Sequence, residues 1–471
     1  MNDKYEVIIG LEVHVQLKTK SKCFCSCPVE FGGLPNTNVC PVCLGLPGTL
    51  PVLNRKAVEL AIKAGLALNC QIIQKSSFAR KHYFYPDLPK GYQITQYKEP
   101  LAVNGYIEIE DSKIRVRRLH LEEDSGKSMH CGTETLVDFN RCGVPLIEVV
   151  TEPDIKSPEQ TVQVLQVLRQ ILRYLDVSDC DMEKGHFRCE PNISLRKVGE
   201  KKLGVRTELK NLNSLRSVRE GLQFEIERQK KILDNNEEVI QETLFWDEQT
   251  KTAGSMRGKE ESEDYRYFPE PDLPVLVISQ SEIERIKKSL PLMPWQRKAI
   301  LISNYGLSEN TAEIIVETKE FVDYFEETLK EINDPHLVAN WLVTEVRGIL
   351  NEKGILIQDF SISPSKLAEL LRLLKTEKIS NKVAKDIFNE MLITDKTATE
   401  ILNLKDLTLV DDEDLLFNTV KEVLQENPEV VAKYKAGKTT VISYLIGQVQ
   451  KKTKGKLKPQ KIQEAIIKQL E

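Results

Sequence analysis

The sequence predicts an α+β amino-terminal domain built on a largely antiparallel sheet, followed by an all-α helical domain and a small all-α tail. A chain of 471 residues is too long for one ordinary core, so two or three domains are expected. Before about residue 290, short alternating segments, turn residues and occasional amphipathic stretches are mixed; after it the apolar residues recur almost only with helical spacing. Paired strands with interspersed helices are the pattern of a sheet with helices packed on it. The expected boundaries are 1–292, 293–408 and 409–471.

Taken in order, residues 6–17 (EVIIGLEVHVQL) alternate as a strand does, and so do residues 105–110 and 113–122. Residues 55–68 have helical spacing between them. Ser157-Pro158-Glu159-Gln160 is a helix start, with a capping Ser, Pro at the first helical position and Gln closing a capping box. Behind it Val162, Leu165, Leu168, Leu172 and Leu175 form an apolar stripe. Residues 215–236 read as a second long helix. Further helices are expected over 311–329, 335–351, 365–375 and 382–391. The tail begins after Asp411-Asp412-Glu413-Asp414, four charges that suit a helix N-terminus.

The first ten residues carry Asp3 and Glu6 and lack the basic start and long apolar run of a signal peptide. No run of about eighteen apolar residues occurs, so no membrane span is expected and the chain reads as cytoplasmic. A net charge of −5 excludes a polycation drawn to any nucleic acid; such contact has to come from local basic patches.

Five of the ten cysteines crowd into one segment, Cys23, Cys25, Cys27, Cys40 and Cys43. In a long chain without a secretory signal this reads as a metal site. The pairs Cys25/Cys27 and Cys40/Cys43 can close a tetrahedron of thiolates around structural Zn2+, with Cys23 as the surplus residue able to replace Cys25. The bland alternative is a set of buried thiols.

Glu12 and His14 lie two apart on a strand and so share a face, where a carboxylate beside an imidazole can bind a divalent cation. Glu122-Glu123-Asp124 ends another strand. Glu148 sits inside the apolar run Pro145–Val150, where an acid is costly to bury unless paired or coordinated. Hard oxygen ligands suit Mg2+ carrying nucleotide phosphates. Residues 432–439 imitate a phosphate-binding loop, but Ala432 replaces its first glycine and helix replaces the required strand, so the match is rejected. Aromatic and basic residues interleave at Arg80–Asp87 and Asp264–Pro269, a mixture that serves either base stacking or packed turns. Lys451, Lys452, Lys454, Lys456 and Lys458 form an acid-free patch, suited to RNA phosphates or to a solvated face.

Over nearly its whole length the sequence resembles the B-subunit family of aspartyl/glutamyl-tRNA(Asn/Gln) amidotransferase. The resemblance rests on Ile9–His14, Val39–Gly48, Tyr83–Gln93, Leu119–Ser128, Asn140–Glu148, Glu208–Ser214, Asp264–Leu273 and Tyr434–Lys438. It implies a glutamine-synthetase-like cradle domain, which uses ATP and Mg2+ without a phosphate-binding loop. It also implies phosphorylation of the side-chain carboxylate of Glu-tRNA(Gln) or Asp-tRNA(Asn), followed by amidation.

The positions matching the family's metal and phosphoryl site are Glu12, His14, Glu123 and Glu148, while Lys81 and Lys90 correspond to residues lining the ammonia route or acceptor end. Lys438 joins the tail lysines as a tRNA contact. Where relatives carry Asp and a small residue, this chain reads Glu190-Pro191, keeping the charge with a longer reach. Asn2 stands where an amino-terminal cysteine nucleophile would be, and no Ser–Ser–Lys amidase signature is present. The resemblance therefore implies partners: a glutaminase (the A-subunit of such enzymes) that supplies ammonia, a small bridging protein (their C-subunit), and the mischarged tRNA. Two competing readings, a tRNA-binding module without chemistry and a zinc-stabilised scaffold, leave the clustered acids unexplained.

Overall fold

The computed structural model describes residues 4–109, 112–256, 265–405, 413–435, 439–453 and 457–470. Asn2, Asp3, Glu110, Asp264, Asp411, Asp412, Ala436, Gly437, Lys438, Lys454 and Lys456, all used above, lie outside the described residues. The chain divides into two compact units, Met1–Met293 and Pro294–Glu471.

The first unit is built on nine strands: β1 (Tyr5–Gln16), β2 (Gln71–Ile72), β3 (Ala102–Ile109), β4 (Ser112–Glu123), β5 (Pro145–Thr151), β6 (Phe187–Lys197), β7 (Thr207–Lys210), β8 (Thr243–Asp247) and β9 (Thr252–Ser255). Their order across the sheet is β9-β8-β7-β6-β1-β5-β4-β3-β2, and every pairing is antiparallel except β7 with β8. Three helices, α1 (Arg55–Ala67), α2 (Pro158–Tyr174) and α3 (Leu215–Asp234), pack on one face. Leu11, Val13 and Val15 of β1 point into this core beside Leu60 of α1, Leu168 of α2 and Leu222 of α3, leaving Glu12, His14 and Gln16 on the open face. Burying each such side chain contributes about 1.5–3 kcal/mol, so a one-residue slip of β1 would bury two ionisable groups and expose the core set.

The helix starts follow their caps. Asn54, Ser157 and Ser214 each accept backbone N–H bonds at the heads of α1, α2 and α3. Gln160 accepts from Lys156 N at 2.8 Å, one residue earlier than a capping box requires. A smaller sheet of Ala79–His82, Tyr92–Thr95 and Phe268–Pro269 lies against the end of β4.

Every regular element among the described residues of the second unit is a helix. The helix expected over 311–329 is two, Glu309–Ile315 and Lys319–Ile332, because Thr318 caps the second by accepting from Phe321 N. Residues 335–353 form one run with a π-helical stretch at Leu342–Val346. The last helices close around their own core of Val420, Val423, Leu445, Val449, Ile462 and Ile466. Helix Pro428–Lys435 occupies the strand position of the rejected phosphate loop. Among the described residues no helix is long and apolar enough to cross a membrane.

Candidate active site on the open face of the sheet

Register alone assembles the site. His14 of β1 stands opposite Glu148 of β5 on one side and Arg188 of β6 on the other, and Glu148 stands opposite His120 of β4. The row Arg188–His14–Glu148–His120 thus crosses four strands, and Glu122 lies two residues further along β4. His14 Nε2 is 3.4 Å from Glu122 Oε1 and 3.5 Å from Glu148 Oε2. His120 Nε2 is 3.1 Å from Glu148 Oε2 and 3.6 Å from Glu122 Oε2. Thr95 Oγ1 donates to Glu122 at 3.1 Å. Glu122, Glu148 and His120 are buried, and His120 Nδ1 has no hydrogen-bond partner.

The charges are strongly coupled. Burial pushes the His14 imidazolium pKa down, but Glu148 and Glu122 outweigh it and raise it to about 9. Burial pushes the Glu148 carboxyl up, but His120 and His14 hold it well below the usual carboxylate range. A second group adjoins the first: one carboxylate oxygen each from Glu12, Glu190 and Glu208 lies within 4.8 Å of the others. Burial first, then Glu148, raises the Glu12 pKa. Asn192 donates to Glu12 at 3.1 Å, and Lys210 Nζ sits 3.1 Å from Glu190 and 3.6 Å from Glu208. Oxygen and imidazole donors without sulfur fit a hard divalent cation. Such an ion would take the place of the proton that the carboxylates otherwise keep on His14.

Glu123 is placed elsewhere, which corrects the expected ligand set. Consecutive side chains of a strand point to opposite sides. Glu122 therefore joins His14 and Glu148, while Glu123 pairs with Lys90 and accepts from Ile94 N at 2.9 Å. Lys90 and Glu123 border a cavity of about 220 Å³ with Cys25, Cys43, Gly45 and Pro47. Gly45 is at φ +66°, and a Cβ there would collide with Lys90. Lys81 is apart from this pair, 4.6 Å over the Tyr265 ring.

Four sulfurs, those of Cys25, Cys27, Cys40 and Cys43, lie within 4.8 Å of one another. Cys23 is buried outside this set and does not replace Cys25. A hydrogen bond from Cys25 holds the Cys43 thiol down at about 4, while burial pushes Cys27 up to about 11. One thiolate among close thiols fits a soft-ligand metal site, since a metal relieves the remaining protons.

The aromatic segments resolve into packing and wall. Arg80 is committed to Glu270 and Asp272, and His82 stacks on Phe268. Burial and the nearby Glu122 raise the phenol pKa of both Tyr83 and Tyr267, and Tyr267 stacks on Tyr97 at 4.0 Å. In the tail, Lys451 is exposed, whereas Lys452 pairs with Glu422 at 2.8 Å and Glu426 at 2.5 Å. Sequence reasoning weighed Glu122 only within the run Glu122-Glu123-Asp124 and chose Glu123 from it, and it did not single out His120, Arg188 or Glu208. The alternation of Leu119 and Leu121 with His120 and Glu122 carried the signal for two of them.

Comparison with known proteins identifies the family. The GatB/GatE catalytic domain matches residues 7–284, and the GatB domain matches 323–470. The chain is 50% identical to the B-subunit of the aspartyl/glutamyl-tRNA(Asn/Gln) amidotransferase of Thermodesulfovibrio yellowstonii over 99% of both chains. It is 49% identical to the proteins of that name from Persephonella marina, over 98% of this chain and 99% of that one, and from Caldicellulosiruptor bescii, over 99% of both. A catalytic domain carried on a carboxylate-lined sheet defines the class, a catalytic component of a ligase-type enzyme. Within that class the chain belongs to the B-subunit family of aspartyl/glutamyl-tRNA(Asn/Gln) amidotransferase.

Proposed function

We propose that the open face of the sheet is where ATP phosphorylates the side-chain carboxylate of Glu-tRNA(Gln), Asp-tRNA(Asn) or both, before ammonia converts it to the amide. The observation that supports this is the pair of contiguous donor groups, His14/Glu122/Glu148 and Glu12/Glu190/Glu208, on one face. A free carboxylate resists amines because its leaving group would be oxide. Its oxygen attacks the γ-phosphorus and ADP departs; ammonia then adds to the acyl carbon, phosphate leaves with the C–O bonding pair, and nitrogen loses a proton. Mg2+ held by those two groups would neutralise the phosphate charge. His14 and His120 keep Glu122 and Glu148 ionised and oriented toward one point. Tyr83 and the stacked Tyr97–Tyr267 pair form an aromatic wall that keeps water from the activated acyl group.

The remaining roles follow the same reading. The amino-terminal unit is a glutamine-synthetase-like cradle, with Zn2+ on Cys25, Cys27, Cys40 and Cys43 tying down the loop that carries them. Ammonia comes from the glutaminase A-subunit, joined through the small C-subunit, and passes Lys90, Glu123 and Lys81. Residues 409–471 are a tRNA-binding tail in which Lys438, Lys451, Lys452, Lys454 and Lys456 meet RNA phosphates, and the assembly works in the cytoplasm. The test is ATP-derived phosphate release by the reconstituted heterotrimeric complex, with mischarged tRNA and without glutamine. Glu148→Gln is expected to lose release while tRNA binding is kept. If Glu148→Gln releases phosphate and transamidates normally, the face is not the site and a pure tRNA-binding module replaces this reading.

A further inference from the structure

We propose that Arg118 is a phosphate-binding residue of the open face. Three arginines stand close together on β4 and meet different fates. Arg115 is paired with Asp154 through two bonds of 2.8 and 2.6 Å, and Arg117 with Glu152 through two of 3.0 and 2.9 Å. Arg118 has no carboxylate within 4.0 Å among the described residues, and its buried Nε has no hydrogen-bond partner.

The cause is a register shift. β4 slips against β5 between Val150 and Thr151, so Val150 faces Arg118 while Thr151 faces Val116. Buried Val116 and Leu119 flank Arg117 and Arg118, which both lie on the open side. Arg117 takes Glu152, the first residue past the end of β5. Arg118 is left between Val150 of β5 and Val103 of β3, neither of which can accept a hydrogen bond through its side chain. The next acid on β5, Glu148, is held by His14 and His120. A buried guanidinium Nε without an acceptor costs stability, so its retention beside the acidic groups calls for an anionic partner that arrives with substrate. Arg118 faces Val150 two residues along β4 from His120, which faces Glu148, so the guanidinium springs from the strand beside the His14/Glu122/Glu148 group.

Its planar donor fork matches two oxygens of one phosphate, and the neighbouring groups need a cation to balance a polyphosphate at their edge. This inference rests on the reading of the open face as the ATP site. Two sources of phosphate reach that face, the polyphosphate of the nucleotide and the terminal phosphodiester of the tRNA acceptor end.

The experiment is steady-state phosphate release by the reconstituted complex carrying Arg118→Ala or Arg118→Lys, with ATP and mischarged tRNA varied separately. A loss on the order of 10²-fold is expected in Arg118→Ala, with little recovery in Arg118→Lys and partial recovery on adding guanidinium ion. A rise in KM for ATP assigns the nucleotide; a rise in KM for tRNA assigns the phosphodiester. The melting midpoint is expected to stay level or rise, because no internal partner is lost. Turnover within about twofold of the unaltered complex, or a loss that guanidinium does not relieve and that follows a fall in stability, overturns the proposal. If Glu148→Gln is inactive while Arg118→Ala is normal, only this inference fails. If both are normal, the reading of the face fails with it.

Discussion

Two neighbouring acids on β4 live in opposite electrostatic worlds. Glu122 shares His14 and His120 with Glu148, and a second group of three carboxylates adjoins, held among the described residues by Lys210 and neutral donors. Glu123 is matched one to one by Lys90 and capped by the Ile94 amide. The first side carries negative charge that the protein itself does not neutralise; the second is closed on itself. Surplus charge at a buried place marks where a cation or a charged substrate belongs, while a closed pair marks a joint.

Exchanging the two acids sharpens this contrast most. Glu122→Gln is expected to lower tRNA-dependent phosphate release by a factor on the order of 10³ with the fold retained, while Glu123→Gln keeps phosphate release. Equal losses in the two variants would erase the distinction. On the closed side, Lys90→Met strands the Glu123 carboxylate and is expected to destabilise the first unit by about 3–5 kcal/mol in chemical denaturation. The double variant Lys90→Met/Glu123→Gln should recover most of that loss.

The thiol group is broken or kept by one substitution. After cobalt replacement the unaltered protein should show thiolate-to-cobalt charge-transfer absorption. Cys40→Ser should weaken it, whereas Cys23→Ser should leave it alone.

A smaller effect comes from pH. His14 has its folded pKa raised to about 9, above the unfolded value of about 6.5. Its stabilising contribution is full below the unfolded value and is lost as pH rises through about 9. In chelator-treated protein the melting midpoint should therefore fall over that range, and His14→Gln should flatten the slope. A slope unchanged in His14→Gln would show that the open face does not hold a proton there.

Much of this molecule was legible from local pattern. The alternation of residues 6–17 placed Glu12 and His14 on one face, and β1 keeps them there. The mixed α+β character, the mostly antiparallel sheet and the helical carboxy-terminal region also stand as read. The choice between Glu122 and Glu123 was within reach of the same alternation, since Leu119 and Leu121 claim the core side. The expected single helix over 311–329 failed for another local reason, a threonine cap inside an otherwise continuous apolar stripe.

Other features had no local signature. His14, Glu122 and Glu148 are brought together only when β1, β5 and β4 align in register, and nothing near any one of them in sequence names its partners. The isolation of Arg118 depends on a slip between β4 and β5 that a one-strand pattern cannot contain. The sequence by itself determined which side chains each strand turns toward solvent, because that follows from a period of two and from the burial of the apolar set. The tertiary structure alone decided which charges meet and which stay unmatched, because pairing across a sheet is set by long-range register and the Coulomb energy between two groups depends on the distance that register fixes.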